Sequence, residues 1–159
     1  MNKWAYYRVG RYLHSPYLFA AYIDDVINFM RNKHVGCMYH HYVNACIVMY
    51  ADDILLLAPS VHVLQILVSA CESKFGQLYL GINVRRSVCI RIGLRCHFSC
   101  LPILMSDGSE LQWVDNLRYL GVFVTRSTHF SCSFDKCQKV VLPELTQMLT
   151  NCCMLLCLQ

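Results

Sequence analysis

The chain is short of charge: Asp, Glu, Lys and Arg together make up 15% of its 159 residues, against roughly a quarter in ordinary soluble domains. It also lacks an unbroken apolar span. The best uncharged stretch, residues 54–71, is interrupted by Pro59, Ser60, His62 and Gln65, whereas a membrane helix needs about 18 predominantly apolar residues in a row. The apolar patch at residues 17–23 runs into Asp24 and Asp25 instead of a small-residue cleavage site, so no signal peptide is expected. A Gly-x-Ser-x-Gly elbow is missing, which removes a serine-hydrolase signature. No repeat, linker or low-complexity tract divides the chain.

What is present is apolar. Hydrophobic residues reach 56% and the mean hydropathy is +0.36, values that fit either a membrane protein or a slice of a larger core, and the broken span argues against the first. About 150 residues are enough to bury roughly two thirds of the unfolded surface. The eleven cysteines are odd in number and come without a signal peptide, so reduced thiols in an intracellular, non-secreted protein are expected. The net charge of +4 is modest, but Arg85, Arg86, Arg91 and Arg95 gather within eleven residues. They suit phosphate neutralisation or a solvated strand face equally well.

Local patterns place the elements. Ser15-Pro16 reads as an N-cap followed by proline at the first helical position. Phe19, Tyr22, Ile23, Val26, Ile27 and Met30 then recur at helical spacing to about residue 32, leaving Asp24 and Asp25 on the solvated face. A second helix is predicted over 60–75, capped by Ser60, with Val61, Val63, Leu64, Leu67, Val68, Cys71 and Phe75 as its apolar stripe. Residues 43–50 and 54–58 read as short strands on either side of Ala51-Asp52-Asp53, with Pro59 ending the second. Strands are expected at 83–92 and 117–125, a turn at 106–109, and helix over 135–159 as far as Pro143 allows.

Two adjacent aspartates inside so apolar a run require a reason, because an unpaired buried carboxylate costs several kcal/mol. At the tip of a tight hairpin, a carboxylate anchored by apolar strands becomes a rigid oxygen ligand for Mg²⁺. A plain Asp-Asp turn satisfies the dipeptide taken alone. The residues around it are more telling. Tyr50-Ala51-Asp52-Asp53 followed by Ile54-Leu55-Leu56-Leu57-Ala58-Pro59-Ser60 resembles the catalytic palm motif of reverse transcriptases of LINE-like non-LTR retrotransposons. In that family, YADD precedes an apolar strand and APS.

Neighbouring segments follow in the family's order. Ser15-Pro16-Tyr17-Leu18-Phe19-Ala20 is similar to its LSPYLFA helix, residues 82–93 to its IN-x-KKS-x-C-x-RIG segment, and residues 117–122 to its primer-grip strand; residues 129–135 resemble a segment just beyond it. The resemblance covers about residues 8–139. It implies an α+β fold: a partial polymerase palm, an antiparallel sheet with helices on one face, spanning residues 1–125 with its primer-grip strand. A thumb remnant or divergent tail would take 126–159, with the fingers missing. It further implies that Asp52 is the principal metal ligand and Asp53 its partner, with Mg²⁺ as cofactor. Tyr50 and Ala51 would lie beside the primer terminus and incoming nucleotide. Tyr119, Leu120 and Gly121 would position the primer, and Arg86 would sit near the triphosphate. Partners in the parent domain would be an RNA template, a DNA primer and deoxynucleoside triphosphates.

The sequence departs from that pattern in two places. Only fifteen residues precede Pro16, too few for the earlier palm strand that carries the family's other essential aspartate, and Asp24 and Asp25 follow the helix start and cannot replace it. Residues 8–16 also depart from the family's RQGGVLSP. The expectation is therefore a fragment of an RNA-directed DNA polymerase that is inactive by itself and leaves an apolar face bare where the fingers and first palm strand belong. The rival reading is a non-catalytic nucleic-acid-binding remnant that uses the arginines near residue 90 and Tyr6, Tyr7 or Trp113 for stacking. A zinc site from His34, Cys37, His40, His41 and Cys46 is not expected, because no second cysteine pair closes a four-ligand set.

Overall fold

The first apolar stripe forms helix α1 (Ser15–Arg31), which buries Ile23, Val26 and Met30 and leaves Asp24, Asp25 and Asn28 exposed. A computed structural model describes residues 15–33, 35–39, 43–50, 53–134, 138–140 and 154–158, with side chains for 23–33, 35–37, 45–50 and 53–133. Helix α2 (Val61–Gln77) begins where Ser60 predicts: this residue is extended at φ −152 and ψ 162, and its hydroxyl accepts the Val63 N–H at 3.2 Å. Leu64, Leu67, Val68, Cys71 and Phe75 are buried along one side, as their spacing requires. Replacing Ser60 with alanine orphans that N–H, and we expect a stability loss of about 1 kcal/mol. Urea denaturation should show it as a lower midpoint with an unchanged slope.

Three sheets are formed by the described residues. The smallest pairs β1 (Met38–Tyr39) with β2 (Val43–Asn44). The largest comprises β3 (Ile47–Tyr50), β4 (Asp53–Ala58), β5 (Val88–Arg91), β6 (Ile103–Leu104), β7 (Glu110–Trp113) and β12 (Met154–Leu158), in spatial order β3-β4-β12-β5-β7-β6. All its pairings are antiparallel except that of β5 with β7. The third is an antiparallel meander of β8 (Asn116–Tyr119), β9 (Val122–Thr125), β10 (Ser131–Phe134) and β11 (Gln138–Val140).

The near-continuous hydrophobicity of β4 follows from burial on both faces. Ile54, Leu56 and Ala58 join a cluster with Ile23, Val26 and Met30 of α1 and Leu64, Leu67 and Val68 of α2. Leu57, on the other face, joins Ile90, Leu117, Val124 and Cys132. Both helices therefore cover one face of the six-stranded sheet, and the meander packs against the other. This bears out a mixed α+β fold with an antiparallel hairpin around the aspartates and the two helices on one side of its sheet.

Several boundaries differ from expectation. The strand predicted over 43–50 is interrupted at Ala45-Cys46, where Ala45 N–H donates to the Cys37 carbonyl at 2.8 Å and Leu57 N–H to that of Cys46 at 2.9 Å. The strand predicted over 83–92 starts only at Val88, because the Asn83 carbonyl accepts both the N–H and the hydroxyl of Ser87, winding residues 84–86 into a turn. That predicted over 117–125 is a hairpin. Helix was expected over 135–159, but the described parts of that stretch are the strands β11 and β12. Strand β12 lies between β4 and β5.

Among the described residues no helix is long and apolar enough to cross a membrane. Among the described residues, Cys46, Cys71, Cys89, Cys96 and Cys100 are free thiols. Cys37 departs from the expectation of reduced thiols, since it is disulfide-bonded.

Candidate active site at the carboxylate hairpin

Strands β3 and β4 are joined with the tightest register two strands allow. Tyr50 pairs with Asp53, so Ala51 and Asp52 are the two intervening residues; both lie outside the described residues. Directly opposed residues of an antiparallel pair share a face. Ile47, Leu56, Met49 and Ile54 consequently look toward the helices, whereas Val48, Leu55, Tyr50 and Asp53 lie on the meander side. On that side the edge strand is open: Val48 is 43% and Tyr50 65% exposed, and Asp53 is half-buried. An apolar inner face locks the hairpin, and the outer face presents an aromatic ring and a carboxylate to solvent.

The second group of expected site residues occupies another hairpin. Tyr119 of β8 pairs with Val122 of β9, and the two residues between them, Leu120 and Gly121, both have positive φ, +49 and +81. This is the two-residue turn whose twist matches the flanking strands, normally supplied by Asn-Gly. Leucine there is strained, and its side chain is 48% exposed. Tyr119 and Val122 border the same apolar cluster as Leu55 and Val88. The carboxylate hairpin and the Leu120-Gly121 hairpin thus rest on one cluster, on one face of the six-stranded sheet.

Gly121 has nothing within 4 Å of where a Cβ would stand, so Gly121→Ala meets no clash and loses only backbone freedom. We expect a loss of about 1–2 kcal/mol. Gly76, near the end of α2 and equally uncrowded, should respond in the opposite direction, Gly76→Ala gaining about 0.5–1 kcal/mol from helix propensity. Paired thermal melts of the two variants check the sign.

Arg86 is exposed in the turn before β5, beside exposed Arg85. Of the remaining clustered arginines, Arg95 is exposed, while Arg91 is half-buried and turns inward, donating from Nη1 to the Phe98 carbonyl at 3.5 Å and to the Cys100 sulfur at 3.2 Å. Trp113, expected to be available for stacking, is half-buried against the helix-side cluster and donates its indole N–H to the Leu101 carbonyl at 3.1 Å. Tyr6 and Tyr7 lie outside the described residues. Asp24 and Asp25 stand solvated on α1, as expected.

A cleft of about 760 Å³ opens on the helix side, lined by Gln65, Glu72, Phe75, Leu80 and Ser106 among others. Its walls are held by structural bonds: Glu72 accepts the Ser106 N–H and hydroxyl, and Gln65 exchanges two bonds with the Leu104 backbone. None of the expected site residues lines it.

Among the described residues no three His, Cys, Asp or Glu side chains gather closely enough to hold a metal ion. Asp53 is the described member of the aspartate pair. In the zinc candidate, His34, His40 and His41 lie outside the described residues, Cys37 is in a disulfide, and burial pushes the Cys46 thiol up, away from the thiolate that binds metal. Burial likewise pushes Cys71 and Cys89 up to about 12, so these are core thiols, not nucleophiles.

The sequence pointed to the carboxylate hairpin, and to Tyr119, Leu120 and Gly121 as part of one strand, but missed two geometric facts. Nothing in Leu120-Gly121 signals a two-residue turn, since Leu-Gly is not a preferred pair for it. Nor does the apolar run at residues 154–158 announce a place beside β4. Residues 3–124 match the family model described as reverse transcriptase (RNA-dependent DNA polymerase). No curated protein and no solved structure is matched.

Proposed function

Because the chain belongs to the reverse transcriptase (RNA-dependent DNA polymerase) family, we propose that it is a palm fragment of such an enzyme from a LINE-like non-LTR retrotransposon, with residues 126–159 as thumb remnant or tail. The observation that carries this reading is the common face of the two hairpins. A polymerase must hold a primer 3′ end against a carboxylate-bound reaction centre. Here Tyr50 and Asp53 share a sheet face with the hairpin of Tyr119, Leu120 and Gly121, and one apolar cluster underlies both.

In this reading Asp52 and Asp53 hold Mg²⁺, whose preference for hard oxygen donors fits the aspartate pair. When bound, the ion supplies activation of a hydroxyl nucleophile and neutralisation of phosphate charge. The protein's own residues supply position. Tyr50 and Ala51 flank the primer terminus and incoming deoxynucleoside triphosphate. The Leu120-Gly121 turn, lacking a side chain at its second position, admits the primer backbone closely. Arg86, exposed and free of steric cover, meets the triphosphate.

A non-catalytic nucleic-acid-binding role is the second reading, favoured by exposed Arg85, Arg86 and Arg95. Fluorescence anisotropy with a labelled RNA–DNA hybrid and added deoxynucleoside triphosphate separates the two. We expect nucleotide to tighten hybrid binding in Mg²⁺, and expect that gain to vanish with chelator or in Asp52→Ala/Asp53→Ala. Binding that is indifferent to chelator, nucleotide and both aspartates would make the chain a phosphate-contact module instead.

A further inference from the structure

The strand at the middle of the six-stranded sheet comes from a part of the chain where the family match does not reach. Strand β12 forms five antiparallel pairs with β4, from Met154↔Ala58 to Leu158↔Ile54, and four with β5, from Met154↔Arg91 to Cys157↔Val88. Its five companions, β3 to β7, lie within residues 47–113, inside the matched 3–124. The matched region therefore brings two strand edges to one groove without a strand of its own between them. Each edge carries a row of backbone N–H and C=O groups at the centre of a sheet covered on both faces, and such groups need partners. The segment Met154-Leu155-Leu156-Cys157-Leu158 has no charge, proline or glycine, the composition that suits a strand buried on both sides.

We propose that the groove between β4 and β5 is a strand-acceptor site, and that β12 fills it in cis as a replaceable donor strand. Main-chain pairing to both edges supplies the affinity, and an uncharged segment of about five residues without proline or glycine supplies the specificity. The connection is long enough: residues 141–153 separate β11 from β12, a reach of roughly 40 Å when extended. The consequence for chemistry rests on the polymerase reading. Strand β4, which carries Asp53, has only β3 and β12 as neighbours, so a neighbouring strand that brings a further carboxylate beside Asp53 on the β5 side must enter through this groove. Strand β12 contains no carboxylate, and while it is in place no acidic strand can be. It is a plug as well as a brace.

Hydrogen–deuterium exchange on the full chain tests the acceptor site without reference to activity, so its failure is separable from failure of the polymerase reading. In the wild-type chain, the amides of residues 154–158 should exchange as slowly as those of 54–58. Leu156→Pro removes an N–H at the centre of the strand and should speed exchange in β12, β4 and β5 by about tenfold or more. An excess of a synthetic peptide with the sequence of residues 150–159, kept reduced, should restore protection in β4 and β5 of that variant. Should Leu156→Pro not fold, the same peptide carrying biotin is incubated with the wild-type chain. Capture of the chain, with 154–158 deprotected and β4 and β5 still protected, supports replaceability. Solvent-rate exchange at 154–158 in the wild type would overturn the proposal, and so would a peptide that neither protects the variant nor is retained by the wild type. A stable dimer in which each copy receives the other's strand would overturn the cis arrangement.

Discussion

A primed RNA template should remain unextended when incubated with the 159-residue polypeptide, deoxynucleoside triphosphates and Mg²⁺, even though the chain belongs to a polymerase family. Two-metal phosphoryl transfer needs several carboxylates around a pair of ions. In the proposed reading Asp52 and Asp53 are the carboxylates of this centre, and β12, the strand next to β4, carries none. Each charge-stabilising contact that such a centre lacks can cost about 10²–10³ in rate, so in the proposed reading extension falls below detection. A fusion that carries the upstream palm segment of a related enzyme, tested with the same template, should gain Mg²⁺-dependent synthesis. In that fusion, Asp52→Ala should lower the rate by at least about 10². Synthesis by the polypeptide itself would refute the fragment argument. Undiminished synthesis by the Asp52→Ala fusion would refute the site assignment while leaving the family intact.

Sequence patterns were most legible where a local rule and burial agree. Ser60 marks a helix start because its hydroxyl has one job, accepting the Val63 N–H, and the stripe from Leu64 to Phe75 needs only the period of 3.6 residues to be recognised. The carboxylate hairpin is readable for a similar reason: apolar strands flank a tight turn, and Tyr50 meets Asp53 across it. Legibility falls where partners come from afar. Residues 83–87 resemble the start of a strand until the Asn83 carbonyl captures Ser87, a local bond that competes with the sheet ladder. Residues 117–125 read as one strand because Leu120 carries no turn signal, although its φ of +49 breaks the run.

The end of the chain was the least legible. Periodicity cannot tell a buried strand from a piece of buried helix over five apolar residues, and the deciding contacts, the edges of β4 and β5, lie about sixty residues and more upstream in sequence. Burial on both faces explains the run at residues 54–58. Its hydrophobicity belongs to a central strand with helices on one face and a meander on the other.

Strand β4 is therefore where fold and site are most closely coupled, and Leu56→Ala should be among the most damaging single truncations in the chain. Leu56 is fully buried on the helix side, pairs with Ile47 across the carboxylate hairpin and with Leu156 of β12, and shares its cluster with Val26 and Met30 of α1 and Leu64 and Leu67 of α2. Five elements meet at this side chain or its backbone, so little of the cavity left by truncation can collapse. The expected loss is about 2–5 kcal/mol, the upper half being reached where surroundings relax least. Leu55, on the other face and only half-buried, should cost less when cut to alanine. Urea denaturation of the two variants decides the matter. A smaller loss at Leu56 than at Leu55 would mean that the hairpin is anchored from the meander side instead of from the helices, and that Tyr50 and Asp53 stand on the buried face of the hairpin instead of the open one.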